Sequence, residues 1–331
     1  MNRRALASDS FVYAKTLTAA KCNPLSEEEF EVAVDDVLTE AEALTQIDIQ
    51  DVDDDVALFF HKKTLQEILP VREILKKRGG TEANFLNALT CGVLHGPSEM
   101  FLSLQTKDTF SGSANYVRKY IDKNDIHPEY RNIEKSWNTK FNTLDSSRYP
   151  KQKVKVEQGD STDLPFAEGE ADLLLTSPPY MHMLDYSWNN WLRLWWLDAD
   201  RKAERDDMNL TSALDNYRSF IQDTLNEVDH VLSDDSWAII VIGDVRRHRS
   251  EGSQIVYPSF MIAAEAEKRG FELERVIDDA YNIDKRSYSR FNDLRYEVTK
   301  ESEDGEELLD RILILKKGNP ESERTSSMPW S

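Results

Sequence analysis

The sequence predicts an α/β fold, a mostly parallel sheet with helices on both faces. Three observations lead there. From residue 151 onward, short apolar runs alternate with helix-spaced stretches, the pattern of parallel strands joined by crossover helices. One run, Leu173-Leu174-Leu175, reads as a buried strand and is stopped by Ser177-Pro178-Pro179-Tyr180. Near the amino terminus, residues 4–9 read as a strand ending in an acid, Asp9, with a helix over 11–21. A strand, an acid at its tip and then a helix is the second β-α unit of a nucleotide-binding sheet, where the acid accepts hydrogen bonds from ribose hydroxyls.

The remaining elements follow in order. Residues 27–43 are acidic and helical, and 51–55 are loop-like. The stretch 56–78 is amphipathic, with Phe59, Phe60, Leu65, Ile68 and Leu69 on its apolar face and Pro70 as a kink or boundary. Buried helix is expected over 83–94, and further helices over 115–124 and 130–144. From 151 the chain predicts strands at 153–157, 172–176, 236–243, 271–277 and 311–315, and helices at 188–197, 213–232 and 258–270, the last closed by Gly270. The final two strands are expected as an antiparallel hairpin at the sheet edge. There is no internal repeat, and the polar tail 319–331 is expected to be disordered.

Composition narrows the function classes. Asp and Glu number 61 against 41 Lys and Arg, a net charge of −20. Nucleic-acid affinity rests on cations neutralising phosphates, so this balance argues against such a substrate unless basic residues gather locally. They do so in Arg246-Arg247-His248-Arg249 and in 285–292, Lys-Arg-Ser-Tyr-Ser-Arg-Phe-Asn, where charge and rings interleave. Cys22 and Cys91 lack metal-ligand spacing and read as reduced thiols of a cytoplasmic protein. No apolar run approaches membrane-spanning length, and the basic start lacks the apolar core of a signal peptide.

The loop Thr176-Ser177-Pro178-Pro179-Tyr180 resembles motif IV, (Asp/Asn/Ser)-Pro-Pro-(Tyr/Phe/Trp), of amino-group DNA methyltransferases that use S-adenosylmethionine, in the form most associated with cytosine-N4 methylation. The chemistry suits the residues. An exocyclic amino nitrogen is conjugated into its ring and is a poor nucleophile. Accepting its hydrogens on the Ser177 side chain and the Pro178 carbonyl would draw it towards tetrahedral geometry, and two prolines keep that carbonyl aimed. Tyr180 offers a face for a flipped-out base. The plain alternative is a stiff turn or polyproline segment.

The resemblance implies a Rossmann-like S-adenosylmethionine methyltransferase sheet, incomplete at the amino terminus and carrying a helical insertion. On that reading 1–24 are the second β-α unit of the cofactor-binding fold. Residues 25–150 form a mostly helical insertion or lid, 151–318 the catalytic half, and 319–331 the tail. Cofactor contacts are implied for Asp9 (ribose), Asp160 (adenine amino group) and Thr176; Asp9 and Asp160 are alternatively caps of a helix or turn. Asp185 and Tyr186, after the Pro-Pro turn, are candidates to line the base pocket. Arg246 and Arg247, beyond the 236–243 strand, are candidate phosphate contacts, or else a solvated loop. No metal is implied, and His182 reads as a rim residue.

The family's Phe-x-Gly-x-Gly turn, whose glycines let backbone approach the cofactor, is not matched; Phe110-Ser-Gly-Ser-Ala114 has alanine where the last glycine belongs. Two expectations follow: either an amino-terminal segment lies outside this reading frame, or a separate Gly-rich polypeptide completes the cofactor site. The implied activity is site-specific transfer of a methyl group to DNA, as in restriction-modification. The alternatives are an RNA guanine-N2 type base methyltransferase and a catalytically incomplete, methylase-like subunit or binding partner.

Overall fold

A computed structural model describes residues 4–44, 48–106, 111–148, 154–181, 185–207, 211, 213–249, 252–279 and 308–318. The chain is α/β and divides into two compact units, one of residues 1–159 with 185–208, the other of 160–184 with 209–331.

The first unit runs β1 (Leu6–Asp9), α1 (Val12–Cys22), α2 (Glu27–Ala43), α3 (Asp54–Ala57), α4 (Lys62–Lys77), α5 (Gly80–Leu94), α6 (Ala114–Asn124), α7 (Ile133–Phe141) and β2 (Lys155–Gln158). It is completed by α8 (Tyr186–Asn189), α9 (Trp191–Trp196) and α10 (Arg201–Asp207). β1 and β2 pair in parallel from Leu6 opposite Lys155 to Asp9 opposite Gln158. Ser26 and Glu29 close a capping box that starts α2 among three glutamates, whose charge complements the helix dipole. Pro70 lies buried inside α4 and is not its boundary. The helices bury Phe30, Phe59, Ile68, Leu86, Trp137 and Trp196 in one core. Two buried indoles are matched: Trp137 Nε1 donates to Thr90 Oγ1 at 2.9 Å and Trp196 Nε1 to Asn87 Oδ1 at 2.9 Å. The expected helix over 188–197 is two short ones. Asn190 turns between them at φ −119° and its Nδ2 donates to the Tyr186 carbonyl at 2.9 Å.

Cys91 lies in this core, and burial pushes its thiol up to about 12, against the nearby Arg193. A thiol so buried and so rarely ionised is inert. Cys22 is half-buried. Titration with an aromatic disulfide reagent should therefore release one equivalent from the native chain and the second only in denaturant. Two equivalents at native rates would contradict the packing around Cys91.

The second unit runs β3 (Ala171–Thr176), α11 (Leu214–Val231), β4 (Leu232–Gly243), β5 (Val245–Arg249), β6 (Gly252–Val256), α12 (Pro258–Glu267), β7 (Phe271–Asp279) and β8 (Asp310–Lys317). Its four-stranded sheet has the order β3-β4-β8-β7. α11 and α12 share a core with Ala238, Ile240, Ile242, Leu313 and Leu315. Three expectations are corrected here. The sheet is not mostly parallel: β3 and β4 are parallel, whereas β4–β8 and β8–β7 are antiparallel. β3, expected as a buried strand, has Leu173 and Leu175 exposed, because among the described residues it pairs with β4 alone. The stretch after β4 is a hairpin rather than a loop, with Arg246 opposite Ile255 and Arg247 opposite Gln254. Alternation along β8 buries Arg311, Leu313 and Leu315 on one face. β4 also begins before the expected Ser236. Its register with β3 jumps from Ala171–Leu232 to Leu173–Trp237, and Asp235 takes φ +59° within that bulge.

Among the described residues, no helix is long and apolar enough to cross a membrane, and no cluster of side chains could hold a metal ion. Phe110, His182, 285–292 and the tail 319–331 fall outside the described residues, as do the side chains of Arg247 and Arg249.

Candidate active site

The loop after β3 is built by its neighbours. Thr176 ends the strand opposite Ile240, and the chain leaves the sheet at Ser177. Ser177 is exposed, Pro178 buried, and Pro179 and Tyr180 half-buried. Two prolines hold φ near −65° and remove two backbone donors, so the segment cannot extend the strand. Tyr217 on α11 fixes it from below: its hydroxyl donates to the Pro179 carbonyl at 3.2 Å. Burial, with Tyr180 beside it, pushes the Tyr217 phenol above its ordinary value, which keeps it a donor. The Tyr180 ring lies against the end of β4. A Cβ built on Gly243 would stand 2.9 Å from Tyr180 Cε2 and 2.6 Å from Asp310 Oδ1. Only glycine leaves room there for both side chains.

Tyr217, Gly243 and Asp310 are functional neighbours that the sequence did not reveal. Tyr217 sits on the apolar stripe of α11 with Phe220, Ile221 and Leu225. The one available signal was that a buried tyrosine hydroxyl needs an acceptor; nothing in the spacing names Pro179. Tyr217→Phe should lower the unfolding free energy by about 1 kcal/mol, the usual worth of one such bond. It should also speed hydrogen exchange of the Tyr180 and Met181 amides. Unchanged exchange would mean that the loop is held by something else.

The other candidate residues are distributed over both units. In the first, Asp9 closes β1, and its Oδ1 accepts the Phe11 N–H at 2.9 Å, turning the chain into α1. The Gly159 N–H donates to the Asp9 carbonyl at 3.3 Å, so the tips of β1 and β2 stand side by side. Asp185 caps α8, accepting from the Trp188 N–H at 2.9 Å and the Ser187 hydroxyl at 2.6 Å, and pairs with Arg205 at 3.3 Å. Burial alone would raise its pKa. Those two hydrogen bonds, with Arg205 and Arg201, bring it below the ordinary carboxylate value. Tyr186 is exposed, as is Trp188, whose ring carries Arg201 at 4.7 Å. Of the helix that follows, Leu192 and Trp196 are buried in the helical core of the first unit and Trp195 packs against it.

In the second unit, Asp160 shapes a turn through Oδ1, accepting from the Thr162 N–H at 2.8 Å and its hydroxyl at 2.9 Å. Arg246 is half-buried in β5. Beyond β4, Asp244 is buried and paired with Arg311. The structure thus brings Thr176, Ser177, Pro178, Pro179 and Tyr180 together with Tyr217, Gly243 and Asp310, all in the second unit. Asp9, Asp185 and Tyr186 belong to the first.

No family model matches the chain, and no curated protein matches it. Solved structures do. A candidate DNA modification methylase from Thermus thermophilus, complexed with S-adenosyl-L-methionine, is similar at 18% identity and a TM-score of 0.31, over 50% of this chain and 54% of that one. A SAM-dependent methyltransferase from Methanosarcina mazei is similar at 9% identity and 0.29, over 55% and 76%. A candidate sarcosine dimethylglycine methyltransferase from Galdieria sulphuraria is similar at 11% identity and 0.29, over 78% and 91%. The chain spans about half the length of the Thermus structure.

Proposed function

We propose that the chain carries the catalytic half of an S-adenosylmethionine-dependent methyltransferase acting on an exocyclic amino group of DNA, in the cytosine-N4 manner. The observation that carries this reading is the Ser177-Pro178-Pro179-Tyr180 loop at the carboxyl end of a strand that pairs in parallel with its neighbour, clamped by Tyr217 and Gly243. In open α/β sheets ligands bind at that end of the strands.

The residues fit the cofactor in part. Asp9, the last residue of β1 in the first unit, and Asp160, after β2 and in the second unit, each present a carboxylate beside a backbone turn, an acceptor of the kind that suits ribose hydroxyls or an adenine amino group. The cofactor supplies an electrophilic methyl on sulfur. The chain's own residues prepare the nucleophile. The Ser177 oxygen and the Pro178 carbonyl accept the two amino hydrogens, freeing the nitrogen lone pair from the ring, and the Tyr180 face supports the base outside the duplex. The proton released as nitrogen gains the methyl passes to a nearby acceptor or to water. Tyr186, Trp188, Arg201 and Arg205 mix exposed rings with cations on the first unit, and Arg246 and Arg247 lie on a hairpin of the second. These are the proposed backbone contacts that offset the acidic balance.

The test is transfer of a tritiated methyl group from labelled cofactor into duplex DNA and into transfer RNA, followed by nucleoside analysis. N4-methylcytosine in the DNA is the expected product. Label appearing only as N2-methylguanine in the RNA would replace the DNA reading by the RNA one.

A further inference from the structure

We infer that Glu204 on α10 is a positioning residue: it completes, from far along the chain, the turn that carries Asp9, and through α10 it ties that turn to the aromatic helix α8. The sequence of α1 creates the need. Phe11 stands at its N-cap position, where it offers no side-chain bond, and the first turn holds no acid. A helix that starts this way leaves backbone donors that an oxygen from elsewhere must satisfy. Asp9 Oδ1 accepts the Phe11 N–H at 2.9 Å, and Glu204 Oε2 accepts the next one, the Val12 N–H, at 3.0 Å. A carboxylate at this place also meets the positive end of the helix dipole. The turn that aims the Asp9 carboxylate is therefore finished by a residue 192 positions further on.

α10 is held at both ends. Of its described side chains, Arg201 to Asp206, Glu204 alone is half-buried and the rest are exposed. Asp200 starts the helix by accepting the Ala203 N–H at 2.7 Å. Arg201 and Arg205, one helical turn apart, both reach α8: Arg205 Nε pairs with Asp185 Oδ2 at 3.3 Å, and Arg201 lies over the Trp188 ring at 4.7 Å. Asp185 in turn caps α8 through the Trp188 N–H. Each exposed pair is worth little alone. Carried on one helix with the Glu204 bond, they act as a network that joins the start of α1 to the start of α8.

All of these groups belong to the first unit, although the chain on either side of 185–208 belongs to the second. The segment that follows the Pro-Pro loop is thus fastened to the turn after β1. Where the proposed function holds, α10 joins the acid proposed for the cofactor ribose to the Asp185–Trp188 wall proposed for the substrate. A ligand that steadies one end then steadies the other, and such coupling runs both ways. That consequence rests on the proposed function; the brace itself does not.

The test is amide hydrogen exchange on the full chain. Glu204→Ala should speed exchange of the Val12 amide about tenfold, the usual worth of a lost cap, and should also speed exchange at 188–190. Glu204→Gln, whose amide oxygen still accepts the Val12 N–H, should restore both. Val12→Pro removes the same bond from the other side. Phe11 is already extended, at φ −76° and ψ 114°, and proline suits the first helical position, so α1 persists without that donor. It should speed exchange across 201–207 while the body of α1 stays protected. Unchanged exchange at 188–190 in Glu204→Ala, no restoration by Glu204→Gln, or unchanged exchange over 201–207 in Val12→Pro would each overturn the proposal. In a preparation that methylates DNA, Glu204→Ala should raise KM for the cofactor about tenfold and leave kcat nearly as it was. An unchanged KM would overturn the positioning role. Exchange that responds as expected in a chain that transfers no methyl group would count against the proposed function alone.

Discussion

Asp244→Ala should destabilise the fold by about 3–5 kcal/mol, the cost of halving a buried ion pair. Asp244 follows β4 directly, and its carboxylate is buried against the Arg311 guanidinium. It also accepts the Leu309 N–H at 3.2 Å, which ties the start of β8 to the end of β4. Arg311 lies over the rings of Tyr257 and Phe260, each at 5.3 Å, and among the described residues its other anionic contact is Asp278, on an exposed side chain at 3.0 Å. Burial holds the Asp244 carboxyl above its ordinary value despite the Leu309 N–H and Arg311. The intact pair is therefore worth little net, while its loss strands a cation among aromatic rings. Urea unfolding measures the difference. Asp244→Asn keeps the size and only one of the two accepted bonds, from Leu309 or from Arg311, and should cost less than alanine; equal losses for the two substitutions would show that the retained acceptor contributes nothing.

Ser177→Ala should reduce methyl transfer by about 10²–10³-fold, the usual effect of removing one hydrogen-bonding group aimed at a reacting centre. Ser177 is exposed and lies beyond the strand, so its loss should leave the melting temperature unchanged. The comparison is made on a preparation that methylates DNA, with any completing polypeptide present. Full activity in Ser177→Ala would remove the serine from the mechanism. Gly243→Ala supplies the contrasting case: its Cβ displaces Tyr180 from beneath the base and should raise KM for DNA more than it lowers kcat.

The sequence made the local part of this site legible and hid the rest. An apolar strand stopped by two prolines is readable because both features are consecutive in the chain. The acid after β1 and the helix behind it were equally plain. What could not be read was lateral order. The β3 sequence is apolar whether it lies inside a sheet or at its edge, because its exposure depends on which strands arrive beside it. β8 lies far along the chain from β4, and its alternation is one that an inner strand and an edge strand could both show. The Arg246–Arg249 run looked like a loop because its four consecutive polar residues mask a hairpin register. Tyr217 and Gly243 reach the loop only through folding, from α11 and the tip of β4.

The path of the chain through the second unit has a consequence for biosynthesis. β3 is made early, after which the chain spends 185–208 completing the first unit and returns to build α11 before β4 appears. At about 5–20 residues per second, roughly 3–13 seconds separate the emergence of Thr176 from that of Gly243. Throughout that interval three consecutive leucines wait without a strand to pair with. Slow translation beyond residue 176 should therefore lower the soluble yield, whereas a trigger-type chaperone holding the nascent segment should restore it.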